Sequence, residues 1–351
     1  MPLNVAILGA SGYGGGELLR LLAGHPEAGS VRGASRRHAG RPFHASHPNL
    51  RGVVGGAFEA EIDWETFAAG PGTPVVFSAM PHGELAAQLE TLERRWAALG
   101  LADRLVLVDL SGDFRLESGE VFAEAYGTPH PCPERLGSFV YGLPEWTRRD
   151  LVGARRIAAA GCFATALQLA LLPLRGLDLG LVAASAVTGS SGSGAAPGDT
   201  THHPTRAHDF RAYKVLRHQH LPEVLATMAR AGIRGTVGFV PQSAPLVRGI
   251  FAALQFLLPP GLDGNDLSAR AAAACDGEPF LRLVEGSPRV GAVTGSNFCD
   301  LAVAAAGRHA AVLVAIDNLV KGMAGQAIQC LNIALGLPEI SGLRAAGAFP
   351  A

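Results

Sequence analysis

The rhythm of apolar and polar positions changes partway along this chain. Up to about residue 115, short β-rich runs alternate with amphipathic helical stretches. Asn4 to Leu8, NVAIL, reads as a strand stopped by the glycine run GASGYGGG, and Leu18, Leu19, Leu21 and Leu22 then line one face of a helix ending near GHP. VRGAS reads as a second strand and TPVVFSAMP, Thr73 to Pro81, as a third. An amphipathic helix follows through GELAAQLETLERRWAALG, and then a strand in RLVLVDLSGDF, Arg104 to Phe114. Strands alternating with helices predict a parallel sheet.

Beyond about residue 155 the strands lengthen and loops join them: LVAASAVTGSSGSG, TVGFVPQSAP, RGIFAALQFLLP and HAAVLVAIDNL. This predicts a second domain with a mixed sheet. The tail returns to helix through KGMAGQAIQCLNIALGL and is expected to pack back on the first domain. The expected class is α/β, with a Rossmann-type domain over residues 1–160, completed by a C-terminal helix over 319–351. An α+β domain with a mixed sheet is expected over 161–318.

Composition narrows the function. A chain of 351 residues, 48% apolar and 17% charged, can bury a sizeable core, and its 45 glycines and 23 prolines predict many turns. The net charge of −1 carries no footprint for nucleic acid or for an anionic membrane. Five scattered cysteines (132, 162, 275, 299, 330) form no CxxC pair and suggest reduced thiols rather than a disulfide framework. MPLNVAILGAS is not a basic segment followed by a long apolar one, and no run approaches about 18 apolar residues, so the expectation is a cytoplasmic protein.

The glycine run sets Gly9, Gly12 and Gly15 at GxxGxxG spacing between a strand and a helix. Glycines there let the backbone turn tightly against a pyrophosphate whose charge sits at the helix N-terminus. About twenty residues on, where an acidic side chain would bind a ribose 2′-hydroxyl, stand Ser35, Arg36 and Arg37, which suit a 2′-phosphate. The expected cofactor is NADP(H).

AAGCFATAL sets Cys162 after a glycine, at the start of a predicted helix that runs to Pro173. A buried, inert cysteine is one reading. The helix N-terminus favours thiolate and supports the other, in which the sulfur attacks an activated acyl group and the resulting thioester accepts hydride. RAYKVLRHQHLPEV supplies His218 and His220 for proton transfer, with no convincing metal-ligand set beside them. His202 and His203 in THHP are weaker candidates. Ser111 and Arg115 in DLSGDFRL, and Arg248 in PLVRGI, could serve a departing phosphate.

Taken in order, GASGYGGGELLRLLAGHP, MPHG, DLSGDFRL, YGLPE, GCFATA, TGSSGSG, RAYK, HQHLPEV, VRGI, TGSNFCDLAV and AIDNLVKGMAGQAIQCLN resemble the N-acetyl-γ-glutamyl-phosphate reductase family over nearly the whole length. The resemblance implies NADPH-dependent reduction of an acyl phosphate to a semialdehyde in arginine biosynthesis, by a homo-oligomer. It implies Cys162 as nucleophile and His218 as acid/base, with His220 in support. Ser11, Gly12, Tyr13 and Gly14 would hold the pyrophosphate, Ser35 to Arg37 the 2′-phosphate, and Gly192 and Asn318 would line the cofactor site. Ala160 departs from the proline usual before the glycine of the cysteine motif. SRRHAGRPFHASHPNLRG and THHPTRAHDFRAYK resemble the sister enzymes of lysine biosynthesis, which act on aminoadipyl phosphate borne by an acidic amino-group carrier protein. Two further alternatives are aspartate-semialdehyde or glyceraldehyde-phosphate type chemistry and an NADP-binding redox sensor without turnover.

Overall fold

The computed structural model describes residues 2–350 and divides into two units. The first holds the chain up to Ala160 together with Met323–Arg344, and the second holds Gly161–Gly322 and the residues from Ala345 on.

The first unit is built on seven parallel strands: β1 (Leu3–Leu8), β2 (Ala28–Ala34), β3 (Phe58–Glu59), β4 (Thr73–Ser78), β5 (Val106–Asp109), β6 (Val140–Gly142) and β7 (Arg156–Ala159), in the order β3-β2-β1-β4-β5-β7-β6. Every residue of β1 is buried, as a strand covered on both faces must be. The covering helices are α1 (Tyr13–Leu22), α2 (Trp64–Ala69), α3 (Glu84–Ala98), α4 (Gly119–Tyr126) and α5 (Pro144–Leu151). The four leucines at the end of α1 are all buried, as their spacing predicts. Strand order reverses between β1 and β4, so the turn after β1 opens at the switch point, where ligands of such sheets bind.

The second unit carries a mixed sheet: β8 (Asp178–Thr188), β9 (Arg211–Ala212), β10 (Arg234–Ser243), β11 (Ile250–Leu257), β12 (Leu281–Leu283), β13 (Cys299–Ala306) and β14 (His309–Ile316), ordered β12-β13-β14-β11-β8-β10-β9. β10 runs parallel to β8 and β12 to β13, and the other pairs are antiparallel. Its helices are α6 (Cys162–Leu171), α7 (His203–Arg206), α8 (Leu221–Arg230), α9 (Gly264–Cys275) and α10 (Val290–Val293). α6 packs on β11 and β14 and is followed by a 3₁₀ turn at Leu172–Leu174, because Pro173 has no N–H with which to extend the helix.

A π-helical turn, Val320–Ala324, leads into α11 (Gly325–Ala334), which lies in the first unit against α1 and α5. The helical tail is therefore shorter than 319–351. Gly336 turns the chain at φ +67 and Pro338 follows, so the remainder is turns and irregular chain. Among the described residues, no helix is long and apolar enough to cross a membrane.

Candidate active site

In the first unit the glycine loop has the backbone its composition predicts. Gly9 sits at φ +74, and a Cβ there would lie 2.6 Å from the Ala79 carbonyl oxygen, so only glycine fits. Gly12 caps α1, whose first turn contains Tyr13 and Gly14 and no acidic residue, leaving the positive end of the helix uncompensated. Ser11 Oγ is 2.8 Å from Ser35 Oγ, which joins the loop to the end of β2. Arg36 and Arg37 follow on an exposed turn. Arg36 pairs with Glu61 at 3.2 Å between two exposed side chains, a contact worth only ~0–1 kcal/mol and readily exchanged for a phosphate. Tight loop, open helix end and adjoining guanidinium groups together fit a dinucleotide with a 2′-phosphate.

Ser111 and Arg115, also in this unit, are engaged with the protein. Ser111 Oγ donates to Asp109 at 2.7 Å, and Asp109 is pushed up to about 7 by burial and by Asp113. Arg115 donates to the carbonyls of Ala159 and Leu110, each at 2.8 Å, and so braces the ends of β7 and β5.

In the second unit Cys162 is the first residue of α6, capped by Gly161. It is partly accessible, whereas Cys132, Cys299 and Cys330 are buried, and burial pushes the thiols of Cys132 and Cys275 up to about 11. Glu223, buried in the first turn of α8, accepts the Gly161 N–H at 3.0 Å. The His220 ring lies over Gly161, where a Cβ would meet its Nε2 at 2.5 Å. His218 stands behind, 4.8 Å from His220 between ring centroids and boxed by Phe163, Tyr213 and Phe239. Burial, then Lys214, lowers its pKa to about 4, so the ring is neutral near pH 7. Its Nδ1 accepts the His220 N–H at 3.2 Å, which leaves the proton of the neutral ring on Nε2. Lys214 (φ +44) and Leu216 (φ +60) hold the left-handed region in the approach to this pair, where side chains make it costly. His202 and His203 lie at the start of α7, apart from these contacts.

Asp317 organises the rest. This fully buried carboxylate takes Arg248 in a forked pair at 3.0 and 3.1 Å and accepts the N–H groups of Gly295, Leu319 and Val320. Beside it, Asn318 accepts the Gly249 N–H at 2.7 Å and donates to Ser191 Oγ at 3.0 Å, next to Gly192. Gly192, Asn318 and Arg248 are thus gathered beside Asp317, while Glu223 stands with His220 at Gly161. Glu223 left a signal, an acid in the first turn after HQH; Asp317 left none. Among the described residues, no group of three or more His, Cys, Asp and Glu could hold a metal ion.

The π-turn closes over Cys162 at Gly322, where a Cβ would lie 2.8 Å from Cys162 Cβ and 3.2 Å from its Cα. Neither atom can swing aside. Gly322→Ala is expected to cost ~1–3 kcal/mol of stability and to displace Cys162. Thermal unfolding and the alkylation rate of Cys162 check this, and parent values for both would contradict it.

Two family models match the chain: the semialdehyde dehydrogenase NAD binding domain over residues 4–154, and the semialdehyde dehydrogenase dimerisation domain over 162–318. The chain is 41% identical to an N-acetyl-gamma-glutamyl-phosphate reductase of Methanopyrus kandleri, over 99% of each chain. It is 40% identical to a [LysW]-L-2-aminoadipate 6-phosphate reductase of Deinococcus radiodurans, over 99% of this chain and 98% of the relative. Its fold is similar to that of aspartate semialdehyde dehydrogenase II from Vibrio cholerae, with a TM-score of 0.66 and 16% identity over 95% of this chain and 98% of the other.

Proposed function

The chain belongs to the semialdehyde dehydrogenase family, and from that premise we propose that it reduces N-acetyl-γ-glutamyl phosphate to N-acetylglutamate semialdehyde, releasing phosphate. The observation that carries this reading is Cys162 at the capped N-terminus of α6, partly accessible, with the His220 ring on the preceding glycine. The protein works as a homo-oligomer on a small-molecule substrate, in keeping with the family's dimerisation domain.

The thiolate of Cys162 attacks the acyl carbon, a C–S bond forms, and the C–O bond to phosphate breaks, so phosphate departs and a thioester remains on the protein. NADPH, when bound, would supply the hydride for the thioester carbon; Cys162 would then leave as thiolate as the C–S bond breaks and the aldehyde is freed. The helix dipole at α6 and the His220 ring favour loss of the Cys162 proton. His218, neutral with its proton on Nε2, is a hydrogen-bond donor suited to the developing acyl oxyanion. Acid/base work, expected of His218 with His220 in support, is assigned on this reading to the pair. Arg248, steadied by Asp317, serves the departing phosphate. Ser111 and Arg115 act less directly, by holding the strand ends.

The cofactor is NADP(H); in the first unit Gly9, Ser11, Gly12, Tyr13 and Gly14 would hold its pyrophosphate, and Ser35, Arg36 and Arg37 its 2′-phosphate. Replacing Arg36 and Arg37 together with alanine is expected to weaken NADPH by ~10–100-fold and to leave NADH nearly unchanged. Titration with the two cofactors checks it, and equal losses would remove the 2′-phosphate assignment.

A second reading keeps this chemistry and changes the substrate to carrier-linked aminoadipyl phosphate. Arg36, Arg37, Arg41 and Arg51 are all exposed, and such a run suits an acidic carrier. Turnover of the carrier-linked substrate alone would establish it.

A further inference from the structure

We propose that His47 is a positioning residue for the cofactor, one that fixes the pyrophosphate loop from its protein side. The inference rests on the reading of Gly9–Gly14 as that loop. His47 is 7% exposed, and its Nε2 lies 2.8 Å from the carbonyl oxygen of Ala10, inside the loop. A carbonyl only accepts, so the ring must donate through Nε2–H. Burial lowers the pKa of His47, so the neutral ring holds its one proton on that nitrogen.

The surroundings are cut to fit this ring. A Cβ on Gly16 of α1 would meet His47 Nδ1 at 2.5 Å, so glycine there is what lets the imidazole reach the loop. Phe58 of β3 meets the ring edge-on, with centroids 6.1 Å apart. Two other ties hold the loop to β2: Ala10 N–H donates to Ala34 O at 2.9 Å, and Ser11 Oγ meets Ser35 Oγ. His47 makes the third, and it comes from the chain that continues beyond Arg37.

The consequence follows from the peptide group. In a trans peptide the C=O of one residue and the N–H of the next point in opposite directions. Holding Ala10 O toward His47 therefore turns the Ser11 N–H away from it, fixed before any anion arrives. Backbone N–H groups fixed at a helix N-terminus are what a pyrophosphate requires. Without the donor, the buried Ala10 carbonyl loses its partner and the peptide gains reason to rotate.

Two variants separate the hydrogen bond from packing. His47→Phe keeps an aromatic ring and removes the donor, whereas His47→Gln keeps an N–H at the distance of Nε2. His47→Phe is expected to weaken NADPH and NADH by the same factor, about tenfold, and His47→Gln to restore most of the loss. Adenosine 2′-monophosphate, which lacks the pyrophosphate, should bind both variants as it binds the parent. A merely structural role would weaken all three ligands together, and that result would overturn the proposal. So would parent-like NADPH affinity in His47→Phe. Failure of the unsubstituted protein to bind NADPH would instead overturn the cofactor reading, and this inference with it.

Discussion

Cys162→Ala lowers kcat/KM for acyl-phosphate reduction by at least ~10⁴-fold and leaves NADPH affinity at its parent value. The size follows from what is lost. Without the sulfur there is no thioester, and a bound acyl phosphate has no protein group to form the new bond to carbon. The other cysteines offer no replacement: three are buried, and the thiol of Cys275 is held up at about 11 by burial. The binding half of the prediction separates chemistry from collapse, because the glycine loop belongs to the other unit. It is checked by steady-state turnover beside an NADPH titration. Retained turnover would end the thioester mechanism, and a variant that lost both would say only that the fold was damaged. A Cys162→Ser control, nearly isosteric, should fall close to the alanine variant, since a hydroxyl is far less ionised than a thiol at neutral pH.

His220→Asn is expected to cost ~10²–10⁴-fold in kcat/KM, the range for a lost proton-transfer group, with the larger part in kcat. Its ring rests on Gly161, one residue before Cys162, and the Glu223 carboxylate accepts the N–H of that same glycine. Asparagine retains hydrogen-bonding capacity but cannot titrate, so the pH dependence of thiol alkylation at Cys162 should move to higher pH in the variant. His218→Asn should lower turnover while leaving that alkylation profile near the parent's, because His218 is already neutral near pH 7. Measuring kcat/KM and alkylation across pH for both variants checks the division of labour. A displaced alkylation profile in His218→Asn with none in His220→Asn would reverse it.

Features set by local rhythm were legible in the chain. The β1 run, the glycine loop and the leucine face of α1 all follow from neighbours within a few residues, and the structure carries them nearly as written. The stretch between Phe114 and Arg156 was not legible in the same way. β6 is three residues long, and α4 and α5 are short helices whose places are set by packing rather than by period. Site residues divide similarly. Cys162 and the HQH pair announce themselves by type and neighbours. The partners of Ser111 and Arg115 do not: an arginine beyond a strand reads as an anion ligand, and nothing near it in sequence says that its guanidinium also donates to the carbonyls of Ala159 and Leu110. His47 and Asp317 act on residues 37 and 69 positions away, at Ala10 and Arg248, separations across which no sequence pattern carries information.

Reduction of N-acetyl-γ-glutamyl phosphate can be followed in reverse, by nicotinamide absorbance with NADP⁺, inorganic phosphate and free N-acetylglutamate semialdehyde. Strong, phosphate-dependent turnover is expected, and it should disappear in Cys162→Ala. Absence of turnover from folded protein that binds NADP⁺ would contradict the N-acetylglutamyl substrate and turn the assignment to the carrier-linked aminoadipyl compound.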